Sequence, residues 1–186
     1  MLKSFGYDSY VMSLLEKKVE KLYNQIDVYA ASDLCMEQIA HSLGIHLYIM
    51  PGGSKSVILN GAAYIFLDSS LNDNDRWEDF GHELGHVLYH SGNQRLLTKY
   101  PNLKDFINYQ EWEADLFAFH FCVPTFMLLQ LELPNDCRSA VHYVSQQFNV
   151  SYSFAHKRLE MLKQKITDQQ FHVALWKSIR KDEIHG

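Results

Sequence analysis

Residues 82–86 read His-Glu-Leu-Gly-His, and about two dozen residues on comes Glu111-Trp112-Glu113-Ala114-Asp115. Both runs make chemical sense on helices, and together only if the two helices lie side by side. His82 and His86 are four residues apart, so they stack one turn apart with about 6 Å of axial rise and can point at a common ion. Glu83 lies beside them, where it can reach a metal-bound water. This is the H-E-x-x-H arrangement of a zinc hydrolase, with the Glu as general base. A hydrolytic zinc site needs three protein ligands and an open position for water, whose pKa the metal lowers to ~7.

The third ligand must come from elsewhere. His90 lies eight residues past His82, about 12 Å along the axis, so the three imidazoles cannot share an ion on one straight helix. The extended H-E-x-x-H-x-x-G-x-x-H pattern needs a Gly where Tyr89 stands and a His where Gly92 stands. Glu111 is the preferred ligand. Asp115 shares its face at i, i+4, and could accept a hydrogen bond from the free ring nitrogen of a ligand His and fix its tautomer. Glu113 is the rival, ~200° around the helix from Glu111, so the two cannot both face the metal. Gly85 allows another segment or the substrate close to the helix. The expected site is therefore Zn2+ on His82, His86 and Glu111, with Glu83 as base and Asp115 in support. Two oxyanion donors are candidates, His120 and Tyr109, and His90 is a candidate support for a ligand.

The remainder of the chain frames this site. At 186 residues it fits a single domain, 1–186. Residues 1–31 read as an N-terminal helix, 32–124 as sheet and metal-binding helices, and 125–186 as C-terminal helices. A formal charge of −5 and a pI near 6.0 give no global bias toward nucleic acid or membranes. The odd set Cys35, Cys122 and Cys137, with no C-x-x-C, argues against a disulfide framework. No apolar run has transmembrane length and the start shows no signal-peptide core, so a cytoplasmic location is expected.

Apolar periodicity predicts helices over 8–24, 33–43 (capped by Ser32, closed by Gly44), 73–90, 103–122, 125–131, 137–148, 151–164 and 167–181. Ser91-Gly92 and Pro101 mark breaks. Strands are expected at 45–50, 56–59 and 62–67, the last two joined by Asn60-Gly61, a strong hairpin signal. Helices, a small antiparallel sheet, then helices argue α+β. Residues 146–159 read like a helix–turn–helix, but the basic excess beyond 151 is mild and forms no stripe, so nucleic-acid binding is not expected and a packing or partner-docking role is. The remaining histidines, Phe117, Phe119, Phe121 and Cys122 read as surface or core residues.

His82-Glu83-Leu84-Gly85-His86, then Glu111-Trp112-Glu113-Ala114-Asp115-Leu116-Phe117-Ala118 and Val123-Pro124, resemble the ImmA/IrrE family of metallopeptidases. Tyr64-Ile65-Phe66-Leu67-Asp68 also fits, as do Ile39-Ala40 and Leu43-Gly44-Ile45. The likeness spans about residues 32–162. It implies a zincin-like (gluzincin-type) fold, with an edge strand near 62–67 beside the cleft, and it supports Glu111 as third ligand. It also implies cleavage of a helix–turn–helix repressor of a phage or mobile element, which derepresses transcription. An activator or inhibitor protein is a further candidate partner. Phe121-Cys122-Val123 replaces the family's usual Leu-Leu-Met, and Trp77-Glu78-Asp79-Phe80-Gly81 is more acidic and aromatic than usual. Neither touches a proposed ligand. The alternatives are an anti-repressor that sequesters the repressor without cutting it, and a DNA-binding regulator.

Overall fold

The computed structural model describes residues 10–90 and 103–184, with side chains up to residue 174. The elements are α1 (Leu14–Gln25), a 3-10 turn (Ala31–Asp33), α2 (Met36–Ser42), β1 (Ile45–Met50), β2 (Lys55–Leu59), β3 (Ala62–Asp68), α3 (Asp73–Tyr89), α4 (Lys104–Cys122), α5 (Thr125–Leu128), α6 (Cys137–Phe148) and α7 (Tyr152–Ile184). This is an α+β arrangement with a helical majority.

Local chemistry sets most boundaries. Ser13 and Glu16 form a reciprocal capping box that starts α1. Asn72 caps α3 by accepting from the Asp75 amide at 3.0 Å. The helix expected over 33–43 is shorter, because the Asp33 carboxylate accepts from the Tyr29 and Ala30 amides and holds a 3-10 turn instead. The two helices expected over 151–164 and 167–181 are one. Thr167 does not break it, since its hydroxyl donates back to the Lys163 carbonyl at 3.0 Å and Ile166 stays buried. The expected breaks at Ser91-Gly92 and Pro101, and the start of the first expected helix at Asp8, lie outside the described residues.

The sheet corrects one expectation. Its order is β1-β3-β2, with β3 parallel to β1 and antiparallel to β2, so it is mixed rather than antiparallel. The hairpin at Asn60-Gly61 forms as expected, both residues taking positive φ (51° and 81°). β3 then lies between β1 and β2, paired on both edges, and its inward residues Ile65 and Leu67 are fully buried there. Residues 62–67 are thus the central strand, and β2 is the edge strand beside α3. The opposite face of the sheet carries the stacked pairs His46–Tyr64 and Tyr48–Phe66.

Beneath the sheet, Trp77, Phe80, Phe117, Phe121 and Tyr23 form an aromatic core with ring centroids 5.0–6.0 Å apart. The Tyr23 hydroxyl donates to the Phe121 carbonyl at 2.8 Å, which ties α1 to the end of α4. Arg158 of α7 is fully buried and donates to the Val123 carbonyl (3.1 Å) and to Thr125 Oγ1 (2.6 Å). Thr125 in turn donates to Glu16 at 2.7 Å, and Lys165 also pairs with Glu16, so one buried polar cluster joins α1, α5 and α7.

Candidate metal centre

The site begins with two glycines. Gly81 and Gly85 lie one turn apart on α3 and face Ala118 and Ala114 of α4. Residue 81 meets 118 and 122 while 85 meets 114 and 117, so the helices run antiparallel. A Cβ on Gly85 would lie 3.2 Å from the Ala114 Cα and 3.1 Å from Phe117 Cδ1. One on Gly81 would lie 2.6 Å from Cys122 Sγ. The two backbones approach this closely because those side chains are missing. The segment that Gly85 admits is therefore α4, and with it comes the Glu111 carboxylate one turn before Ala114.

The Nε2 atoms of His82 and His86 are 3.0 Å apart. Glu111 reaches them at 3.3 Å (Oε2 to His82) and 3.6 Å (Oε1 to His86). Among the described residues, these three form the group of donors close enough to hold one metal ion. Their separations bracket the edge of a tetrahedron with ~2.0–2.1 Å bonds, which is about 3.3–3.4 Å. The outer nitrogens are also engaged. His82 Nδ1 lies 2.8 Å from Asp115 Oδ1, as the i, i+4 spacing of Glu111 and Asp115 predicts. His86 Nδ1 lies 2.9 Å from His90 Nδ1. With its proton on Nδ1 toward Asp115, His82 turns a bare Nε2 lone pair toward His86 and Glu111. A cation between these groups relieves the crowding of lone pairs, so the residues present fit Zn2+.

Electrostatics suit the same use. Burial pushes His86 down to about 4, reinforced by His82 and His90, so its imidazole is neutral and ligand-competent near pH 7. Glu83 is buried, and burial raises its carboxyl above the usual range. A hydrogen bond from Ser56 on β2 and the nearby His82 oppose that rise, while Asp79 and Glu111 add to it. A carboxylate raised toward neutrality is suited to proton transfer.

Neither candidate oxyanion donor is free for that role. His120 is buried beside the Glu16 cluster, with Nδ1 4.0 Å from Glu16 Oε1, because α4 turns it away from the cleft toward α1. The Tyr109 hydroxyl donates to Glu113 at 2.9 Å and is not a free oxyanion donor. Glu113 lies away from the donor triangle, as its ~200° offset from Glu111 requires, and meets His90 Nε2 at 3.3 Å. Sequence reasoning missed this contact, although the i, i+4 spacings of His86 with His90 and of Tyr109 with Glu113 hinted at it. Ser56 carried no such signal, since its place beside Glu83 depends on the register of β2.

Residues 40–160 match the peptidase family model described as the IrrE N-terminal-like domain. The chain belongs to the ImmA/IrrE family. This family member is 38% identical over 164 residues to "Phage-like element PBSX protein XkdA" of Bacillus subtilis (strain 168), covering 88% of this chain and 80% of that protein. It is 35% identical over 162 residues to "Uncharacterized protein YqaB" of the same organism, covering 87% and 91%. A solved structure of a Mycobacterium tuberculosis transcriptional regulator superposes with a TM-score of 0.51 at 17% identity, covering 84% of this chain and 49% of that one. This last likeness concerns fold alone, and the chain spans about half of that structure. Among the described residues, no helix is long and apolar enough to cross a membrane.

Proposed function

We propose that this ImmA/IrrE member is a zinc-dependent endopeptidase with a zincin-like fold, acting inside the cell on a helix–turn–helix repressor of a phage or mobile element. The observation that carries the reading is the convergence of His82, His86 and Glu111 beside the buried Glu83. These three residues would hold the ion. When bound, zinc supplies Lewis acidity, which acidifies water to a pKa of ~7 and polarises a peptide carbonyl. The chain's own residues do the rest. Glu83 takes a proton from the attacking water as the new C–O bond forms. It returns that proton to the amide nitrogen as the C–N bond breaks. Ser56 orients the Glu83 carboxylate from β2. β2 has β3 as its neighbour on one edge only among the described residues, so its other edge can take an extended substrate segment as an added strand.

Family membership and a relative named for a phage-like element support a repressor as substrate. The DNA-binding alternative is weakened by Arg158, a basic residue of the helix–turn–helix-like segment that is buried under α5 instead of facing outward. The Ser151 amide at the start of α7 is likewise tied to Glu78 of α3. The test follows the mass of the repressor encoded beside the gene, incubated with zinc-loaded wild type and with Glu83→Gln. Fragments from wild type alone, with zinc retained in both, are expected. An intact repressor that co-elutes with both proteins would replace proteolysis with sequestration.

A further inference from the structure

Between Glu111 and Asp115, α4 carries another carboxylate, Glu113, that the proposed zinc site does not use. The Tyr109 hydroxyl donates to its Oε1 at 2.9 Å, and His90 Nε2 lies 3.3 Å from its Oε2. An ionised carboxylate only accepts, so His90 carries its proton on Nε2. A neutral imidazole protonated there presents a bare Nδ1, which faces His86 Nδ1 at 2.9 Å. His86 must then donate from Nδ1, and this leaves its Nε2 bare toward His82 and Glu111. The link is rigid at its centre. His90 is buried and caps the C-terminus of α3, where its backbone amide donates to the His86 carbonyl at 3.0 Å.

We propose that His90 and Glu113, completed by Tyr109, are positioning residues that fix the tautomer and ring orientation of His86, as Asp115 does for His82. The two histidines are thereby set by different devices. Asp115 acts on His82 directly and is exposed, whereas a buried imidazole relays the more distant Glu113 to His86. This division follows from the helix seam. Glu111 and Asp115 occupy the side of α4 beside His82, and Glu113 occupies the other side, facing His90, the C-cap of α3 one turn past His86 and two past His82. Supporting partners of this kind are generally worth 10–100-fold in metal affinity.

The proposal rests on the zinc-site reading, and the experiment separates the two. Zinc affinity is measured by chelator competition at mildly alkaline pH for wild type, His90→Phe, Glu113→Ala, Glu113→Gln and Glu111→Ala. Histidine ring-nitrogen NMR of the metal-free protein reports the tautomers. His90→Phe and Glu113→Ala should bind zinc about 10–100-fold more weakly. Glu113→Gln should recover most of the loss, because its carbonyl accepts the same hydrogen bond. His86 should be protonated at Nδ1 in wild type and become a tautomer mixture in Glu113→Ala. Should His90→Phe fail to fold in chelator, Glu113→Ala and the wild-type tautomer decide. Wild-type affinity in both Glu113→Ala and His90→Phe, or an Nε2-protonated His86 in wild type, overturns the relay. Stoichiometric zinc in Glu111→Ala overturns the site reading instead.

Discussion

Gly85→Ala tests whether the helix seam builds the site. On an isolated helix the change is favourable by about 1 kcal/mol, because alanine is the better helix former. Here the new methyl would sit 3.1 Å from Phe117 Cδ1 and 3.2 Å from the Ala114 Cα. The ring edge can swing aside, but the α-carbon moves only if α4 moves. Overpacking of this kind costs about 1–3 kcal/mol, so the net loss of stability is ~0–2 kcal/mol. That range reaches zero, so stability alone cannot decide the matter. Zinc affinity can, because Glu111 stands one turn from Ala114 on the helix that must retreat. In the metal-free protein the seam opens by a few tenths of an ångström, and zinc binding must close it again against the methyl. If on the order of 1 kcal/mol of the overpacking cost returns at that step, affinity falls by roughly five- to tenfold. Urea unfolding in chelator gives the first quantity, and chelator competition gives the second. A Gly85→Ala protein that gains the full helix-propensity increment and binds zinc like wild type would refute the seam argument.

Two further predictions concern the buried cluster that joins α1, α5 and α7. Arg158→Ala should cost about 3–5 kcal/mol in urea unfolding, because it leaves buried Glu16 with fewer counter-charges and the Val123 carbonyl without its donor; a near-neutral change would mean that the guanidinium is not buried. Stability should also fall with acid. Burial alone would raise Glu16, but hydrogen bonds from Lys165, Tyr10, the Ser13 amide and Thr125 hold its carboxyl well below the usual range. Its contribution is therefore present above the unfolded value of 4.5 and is lost as pH falls below it. Burial, with the nearby Arg158 charge, pushes His120 down to about 3 from 6.5, so its contribution is present above 6.5 and is lost as pH falls toward 3. His86, pushed down to about 4, adds in the same direction in the metal-free protein. Urea midpoints of metal-free protein should decline from about pH 6.5 downward, and a flat profile across that window would contradict the cluster's geometry.

What the sequence made legible was mostly local. Asn60-Gly61 specified the hairpin because the turn needs two positive-φ residues in succession. Gly44 takes φ +69° after α2, as a left-handed helix end requires. The i, i+4 pairs His82/His86 and Glu111/Asp115 specified shared faces, and each pair comes together as spaced. What remained hidden depended on how elements meet. The parallel pairing of β1 with β3 follows from which strand buries both flanks, which no single run of residues records. The uninterrupted α7 depends on Thr167 bonding back to its own helix, an option that the residue type leaves open. Gly85 announced a close approach without saying by what, and Ser56 came to Glu83 through sheet register. Glu113 was weighed against Glu111 for the same role, whereas the structure gives each a separate partner on α3.

The most direct test of the account is anomalous diffraction at the zinc edge from crystals of the zinc-loaded protein. The account predicts a single strong peak on α3 and α4, ~2.0–2.2 Å from His82 Nε2, His86 Nε2 and a Glu111 carboxylate oxygen. A peak coordinated by His90 or Glu113, or no peak between His82 and His86, would contradict it.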